Sequence, residues 1–334
     1  MSDQPVDVAL RFVHDFQPGL HRVPAGGGFI YLDEDGALVE DPIVLERIRG
    51  LAIPPAWSAV WIAPSSDAHL QATGVDSRGR KQYRYHPAWR HERDQVKFRD
   101  MEAFGRAQRS LRRRIELGLD DGAQPLGHRR VLSLSLRLLD IGLLRVGSDR
   151  YAHDNNHYGL TTLLREQVTV RADRAVFDYV GKAGKRHRLA IADAPALEVL
   201  AALKRRRRDP RELLVFRAAH GWTRIHREDV NNFLRAESGG PFSAKEYRTW
   251  NATVIAAATL AALRPPSSRA AAVASRAVAA ALGNTPTVAR QSYIDPRVLE
   301  RFDAGGVIAL DRLPSDPWQA RTRIERRVLA MLSA

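Results

Sequence analysis

Five side chains spread along the chain, Arg145, Lys182, Arg248, Asn284 and Tyr293, are the types needed to break and remake a phosphodiester. Tyr293 ends the stretch LGNTPTVARQSY, nine positions beyond Asn284, with Arg290 and Arg297 on either side. Each residue alone has an ordinary reading. Tyr293 can be a packing aromatic, Arg145 a cation at the end of an apolar helix, Lys182 a solvated turn lysine, and Asn284 a turn residue. Arg248 is harder to dismiss, because it sits between Tyr247 and Trp250 on or beside a face expected to be buried, and a half-buried guanidinium needs an anionic partner. Together the five compose one chemistry. Two guanidiniums and a neutral donor can stabilise charge building on non-bridging phosphate oxygens. A lysine can protonate the leaving 5′ oxygen. A tyrosine forms a covalent phosphotyrosyl bond close in energy to the diester it replaces, so the reaction is reversible without ATP or metal. GKAGK around Lys182 has the wrong spacing for a nucleotide-binding loop.

The elements that must hold these residues can be read coarsely. Residues 20–90 read as short strands and turns, with a hairpin expected at Asp35-Gly36 in GGGFIYLDEDGALV. IPPAWSAVWIAP reads as a proline-bounded strand, and long helices begin from Glu92. HRRVLSLSLRLLDIGLL, just before Arg145, has apolar residues at helical spacing. Residues 167–191 give three β runs joined by tight turns, with Lys182 in the second turn; after them the chain is expected to be helical again. Ser243 and Glu246 have capping-box spacing and fix the start of the helix that carries Arg248. Gly283 reads as the glycine closing the next helix. Thr285-Pro286 then opens a short helix, closed by Pro296. Helical rise over the eight residues from Thr285 to Tyr293 is roughly 12 Å, and a tyrosine adds roughly 6 Å of reach, so Asn284 and Tyr293 can address one phosphate. The fold class is therefore α+β: a small β-rich N-terminal domain (1–95) and a mainly helical catalytic domain (96–334) carrying a small three-stranded sheet.

Composition agrees with a polyanionic partner. The formal charge is +14 over 334 residues. Residues 1–75 hold ten carboxylates against four arginines and no lysine, a net of −6, so the remainder carries +20. Such concentration is the footprint of nucleic-acid binding. The absence of cysteine excludes disulfides, thiol catalysis and cysteine-based zinc sites. No apolar run approaches membrane-spanning length and the first residues lack a secretory pattern, so a cytoplasmic protein is expected.

In order and spacing these motifs resemble the type IB DNA topoisomerases, in particular the small poxvirus-like bacterial branch, from about PPAW to SYIDP. LLRVGSDRYAHDNNHYGLTTL is similar to the segment beginning at the family's first catalytic arginine, here Arg145. FDYVGKAGKRHRL resembles its lysine hairpin, KEYRTW carries its second arginine, and GNTPTVARQSY carries the phosphate-binding residue and the nucleophile. The resemblance implies a catalytic core of the kind shared by tyrosine recombinases and type IB topoisomerases. It also implies relaxation of supercoiled duplex DNA through a 3′-phosphotyrosyl intermediate, no cofactor or metal, and a monomeric clamp. Many relatives have histidine at the position of Asn284. Asparagine can still donate to a phosphate oxygen but transfers no proton at neutral pH.

The resemblance further assigns Gln82, Tyr83 and Tyr85 in KQYRYHPAWR to a major-groove reader, and Tyr151, Asn155 and Thr162 to a DNA-facing helix and loop. Strand alternation is expected to set Tyr83 and Tyr85 on one face and the basic residues Lys81 and Arg84 on the other; a half-buried strand accounts for the same pattern. His153 and His157 have i, i+4 spacing but lack the rest of a zinc motif. The basic run 204–208 reads as a solvated or phosphate-tracking helix end. Two other readings stay open. A tyrosine recombinase shares the chemistry, but usually has H-x-x-R where this chain has Lys245-Glu246-Tyr247-Arg248, and a helical N-terminal region. A non-catalytic DNA-binding protein could keep the fold.

Overall fold

The computed structural model describes residues 9–122, 126–206, 210–263 and 269–333. The chain divides into two compact units, Met1–Phe98 and Arg99–Ala334.

In the first unit β1 (Leu20–Ala25) and β2 (Gly28–Leu32) form a hairpin. Its turn residues Gly26 and Gly27 both have positive φ, which suits a two-residue loop and costs glycine little. A second, shorter antiparallel turn follows at the expected Asp35-Gly36. There the Asp33 carboxylate accepts from the Asp35 and Ala37 amides, and pairing beyond the turn is the single bridge Leu32–Leu38. A short helix α1 (Pro42–Gly50), not foreseen in the sequence, is opened by Asp41, whose side chain accepts from the Ile43 amide. Strands β3 (Ser58–Ile62), β4 (Leu70–Val75) and β5 (Lys81–Tyr85) complete an antiparallel sheet of order β2-β1-β3-β4-β5. Leu20, Ile48, Val60, Ile62 and Ala72 form its core under α1.

Helix α2 (Pro87–Leu119) starts five residues before the expected change at Glu92, with proline in the first turn, where its missing N–H costs nothing. In the second unit α3 (His128–Gly142) is buried at every position from Arg130 to Asp140. After it come α4 (Asp149–Asn155) and the sheet β6 (Val168–Val170), β7 (Ala175–Val180) and β8 (Arg186–Ile191), antiparallel in that order. Helix α5 (Ala194–Arg205) leads to a hairpin, β9 (Val215–Ala218) and β10 (Gly221–Arg224), where only helices were expected. The chain continues through α6 (Arg227–Ser238), α7 (Ala244–Ala262), α8 (Ala270–Leu282), α9 (Pro286–Ser292), α10 (Pro296–Asp303) and α11 (Pro317–Ser333). The molecule is thus α+β, with a small antiparallel sheet near the N-terminus and a mainly helical core carrying a small three-stranded sheet. Pro296 opens α10 rather than closing α9, which already ends at Ser292. Among the described residues no helix is long and apolar enough to cross a membrane.

Candidate active site

Helix α3 stops abruptly because Leu143 takes a left-handed conformation, φ 52°. The chain then runs out to Arg145, whose backbone is pinned where the Leu160 amide donates to the Arg145 carbonyl at 2.8 Å. Arg248 projects from α7, whose first turn is held by the Glu246 carboxylate accepting from the amide and hydroxyl of Ser243, each at 2.7 Å. The Arg248 side chain is buried, with 4% of its surface exposed. Its Nη1 donates to the Leu143 carbonyl and its Nη2 to the Leu282 carbonyl at 2.9 Å. One guanidinium therefore ties the end of α3 to the end of α8. The anionic partner that such burial demands is not a carboxylate of the described residues. Burial and then the neighbouring charge of Arg145 lower Arg248 to about 10, so it stays charged at neutral pH.

Helix α8 ends at Gly283, φ 66°, and the Asn284 amide donates back to the Ala279 carbonyl at 3.0 Å. This turn aims Asn284 at Arg145, whose Nη2 donates to Asn284 Oδ1 at 2.5 Å. The Asn284 Nδ2 is buried and makes no hydrogen bond among the described residues, as is true of Arg248 Nε. Thr285 caps α9 by accepting from the Val288 amide at 3.3 Å. At the other end of that helix, Tyr293 places its ring 5.4 Å from the Arg248 guanidinium carbon. Burial pushes the Tyr293 phenol up, but Arg248, then Arg145 and the nearby Asn284 amide, outweigh it and hold the phenol below its ordinary value. These four residues are thus brought together with positive charge uncompensated by any carboxylate among them. That arrangement stabilises phenolate and phosphate alike.

Lys182 stands at the exposed tip of the β7–β8 hairpin and makes no hydrogen bond or ion pair with any described residue. The hairpin is closed where Gly181 N–H donates to the Lys185 carbonyl at 2.8 Å. Its inner face carries His187, which sequence reading passed over. The signal was present in RHRLAI, where alternation sets His187, Leu189 and Ile191 on one face, and the burial pattern follows it. The imidazole stacks on Tyr179 at 5.3 Å. Burial, then Arg145, Arg248 and Lys185, lower it to about 4. His187, Arg145, Arg248 and the Leu282-Gly283 turn line a cavity of about 120 Å³. Thr253, also unforeseen, holds the backbone at Tyr293. Its hydroxyl accepts from the Asp295 amide at 3.2 Å and lies 3.4 Å from the Tyr293 carbonyl oxygen.

The residues expected to touch DNA fare unevenly. On β5, Lys81 shares a face with Tyr83 and Tyr85, because odd positions point together; its Nζ lies 5.8 Å from the Tyr83 ring, which stacks on Tyr85. The expected separation of Lys81 from the tyrosines is therefore corrected. Gln82 faces the other side and donates to the Asp76 carboxylate at 2.9 Å. Tyr83, Tyr151 and Asn155 are exposed, while Tyr85 packs against the Trp61–Leu70 cluster. Thr162, expected on a DNA-facing loop, is instead buried, its hydroxyl engaged with the amide and carbonyl of Gly159 at 3.0 and 3.1 Å. His153 and His157 do not share a helix face, since α4 ends at Asn155 and Asn156 turns left-handed. In the basic run, Lys204 and Arg206 turn inward onto backbone carbonyls of Arg165, Pro210 and Glu212; Arg207 and Arg208 lie outside the described residues.

Comparison with known proteins agrees with this geometry. Residues 86–304, about two thirds of the chain and inclusive of all five candidate catalytic positions, match the family described as eukaryotic DNA topoisomerase I, catalytic core. Residues 28–76 match the N-terminal domain of bacterial DNA topoisomerase IB. The DNA topoisomerase 1B of Acanthamoeba polyphaga mimivirus is 28% identical over 318 residues, covering 92% of this chain and 94% of that protein. These matches do not favour the recombinase alternative. With a tyrosine, two arginines and an asparagine gathered on one spot, the chain belongs to the type IB DNA topoisomerases.

Proposed function

We propose that this enzyme relaxes supercoiled duplex DNA by cutting and resealing one strand through Tyr293. The Tyr293 phenol oxygen attacks a backbone phosphorus as its proton passes to solvent water. The bond from phosphorus to the 5′ oxygen breaks, and that oxygen takes a proton from the Lys182 ammonium. Arg145, Arg248 and Asn284 bear the charge on the non-bridging oxygens. The free 5′ end swivels, then its hydroxyl attacks the 3′-phosphotyrosyl bond and returns the phenol. The supercoil supplies the free energy, so neither ATP nor metal is required. The observation that carries this reading is the Tyr293 ring 5.4 Å from the buried Arg248 guanidinium, beside the 2.5 Å contact of Arg145 with Asn284.

We assign the protein as a monomer acting in the cytoplasm on the nucleoid. Its N-terminal domain (1–95) serves as a DNA clamp, and the catalytic chemistry lies in 96–334. Tyr83, Tyr151 and Asn155, all exposed, serve as DNA contacts; Gln82 and Tyr85 join them only by releasing their present partners, and Thr162, buried with its hydroxyl engaged, does not. Relaxation of supercoiled plasmid in EDTA without ATP tests the reading. Wild type should relax it; Tyr293→Phe should bind duplex yet form no covalent adduct. Retention of the adduct by that variant would overturn the assignment. Strand exchange at paired sites with only weak relaxation would favour a recombinase.

A further inference from the structure

The five assigned residues leave one connection unexplained, namely what holds the exposed lysine hairpin in register with the rest. Lys182 follows Gly181, and Asn284 follows Gly283, and between these two glycines lies one ring. A Cβ built on Gly181 would stand 2.7 Å from His187 Cδ2, and one on Gly283 would stand 2.4 Å from His187 Cε1. Opposite edges of the imidazole therefore press against the residue before Lys182 and the residue before Asn284. Neither glycine can be exchanged for a larger residue without moving the ring, and Gly283 in addition has the positive φ that glycine tolerates best. Tyr179, two residues before Gly181, stacks on the same ring. Leu282, adjacent to Gly283, gives its carbonyl to Arg248. His187 is thus the point where the hairpin, the Asn284 turn and the Arg248 anchor meet, although it makes no hydrogen bond through its buried Nε2.

We propose that His187 is a positioning residue that sets Lys182 against the phosphate-binding turn, so that its removal impairs protonation of the leaving 5′ oxygen specifically. This rests on the reading of Lys182 as the general acid. A misplacement of about 1 Å is enough to cost roughly 100-fold, and a positioned acid contributes roughly 100- to 10,000-fold in all. His187→Ala opens space between the two glycines and lets the hairpin drift, while Arg145 keeps its contact with Asn284, Arg248 its bond to the Leu143 carbonyl and Tyr293 its tie to Thr253.

The test uses a leaving group that needs no acid. Single-turnover cleavage is measured for wild type, Lys182→Ala and His187→Ala on a duplex with the ordinary 5′ oxygen at the cleavage site. It is repeated on the same duplex with sulfur in that bridging position, since a thiolate departs unprotonated. Melting curves and duplex affinity establish that each variant folds and binds; His187→Asn, a smaller change, replaces His187→Ala should that variant not fold. The expected result is that His187→Ala is slowed about 10- to 100-fold on the oxygen substrate and comes within about threefold of wild type on the sulfur substrate, in parallel with Lys182→Ala. If Lys182→Ala is restored by sulfur while His187→Ala stays slow on both, the positioning role is wrong and the acid assignment stands. Wild-type speed of His187→Ala on oxygen also overturns it. If sulfur fails to restore Lys182→Ala, the acid assignment itself falls, and the inference with it.

Discussion

Arg145 does two things at once: it fixes the Asn284 amide through Oδ1 and adds positive charge beside the Tyr293 phenol. Both favour an ionised Tyr293 phenol. Removing that charge disfavours the phenolate, so in Arg145→Ala the Tyr293 pKa should rise. The pH at which cleavage reaches half its maximum should then move upward, on top of a loss of about 100-fold in rate from weaker transition-state stabilisation. A pH–rate profile of adduct formation checks this; an unchanged midpoint would separate Arg145 from the phenol. His187 titrates in a different window. Its folded value of about 4 lies below the ordinary 6.5, so between these the unfolded chain binds a proton that the native protein refuses. Stability should therefore fall as pH drops from about 6.5 toward 4, on the order of 1–2 kcal/mol after solvent screening. His187→Asn should lose this acid sensitivity, which denaturant titrations at pH 7 and pH 4.5 would reveal as a smaller drop than in wild type.

Between elements, the chief requirement is that α7, which carries Arg248, and the segment after α9, which carries Tyr293, hold a fixed spacing. Thr253, five residues beyond Arg248 on α7, does this by accepting the Asp295 amide while its hydroxyl donates to the Thr249 carbonyl at 3.0 Å. Thr253 and Asp295 are both fully buried. Thr253→Val keeps the shape and deletes the oxygen, leaving a buried N–H unpaired, which costs about 1–3 kcal/mol. Cleavage should slow about tenfold through loosening of the nucleophile, and Thr253→Ser should recover both losses in melting and single-turnover assays. Local devices of this kind were legible in the sequence where they are local: the Ser243–Glu246 cap, the Gly283 stop and the Thr285-Pro286 start all rest on residues within a turn of each other. The Asp35-Gly36 turn was legible but closes only one bridge, while the longer β1–β2 hairpin at Gly26-Gly27 was not foreseen. The β9–β10 hairpin turns at Ala219-His220, without an Asn-Gly or Asp-Gly dipeptide. Of the five candidate positions picked out by order and spacing, Arg145, Arg248, Asn284 and Tyr293 come together, while Lys182 stands at the hairpin tip. The imidazole between Gly181 and Gly283, and the Thr253 clamp, join residues about 40 to 100 positions apart, and no periodicity encodes such contacts.

Over the second unit as a whole, α3, which leads into Arg145, and α7, which carries Arg248, are joined by a buried ionic cluster. Arg112 of α2 donates Nε to Asp140 of α3 at 2.8 Å and Nη1 to Glu325 of α11 at 2.6 Å. Arg321 of α11 pairs with Asp140, contacts Glu325 at 3.1 Å, and donates to Asn251 of α7 at 2.8 Å. Trp318 lies against the Arg112 and Arg321 guanidiniums, 4.8 and 5.2 Å from its ring. Asp140 is five residues before Arg145 and Asn251 three after Arg248, so this cluster ties α3 and α7 together close to both arginines. Burial raises Asp140, but Arg321 and Arg112 outweigh it and bring it to about 2. Its stabilisation is therefore complete above its ordinary 3.8 and is lost as pH falls toward 2. The cluster balances two cations against two carboxylates. Asp140→Asn should cost about 3–5 kcal/mol in urea unfolding, because it strands a buried positive charge rather than merely deleting one attraction. Removing that surplus with a second change, Arg321→Met, restores one cation to one carboxylate, so the double variant should be more stable than Asp140→Asn alone. Losses that simply add would mean that the charges act independently and that the cluster is not one unit.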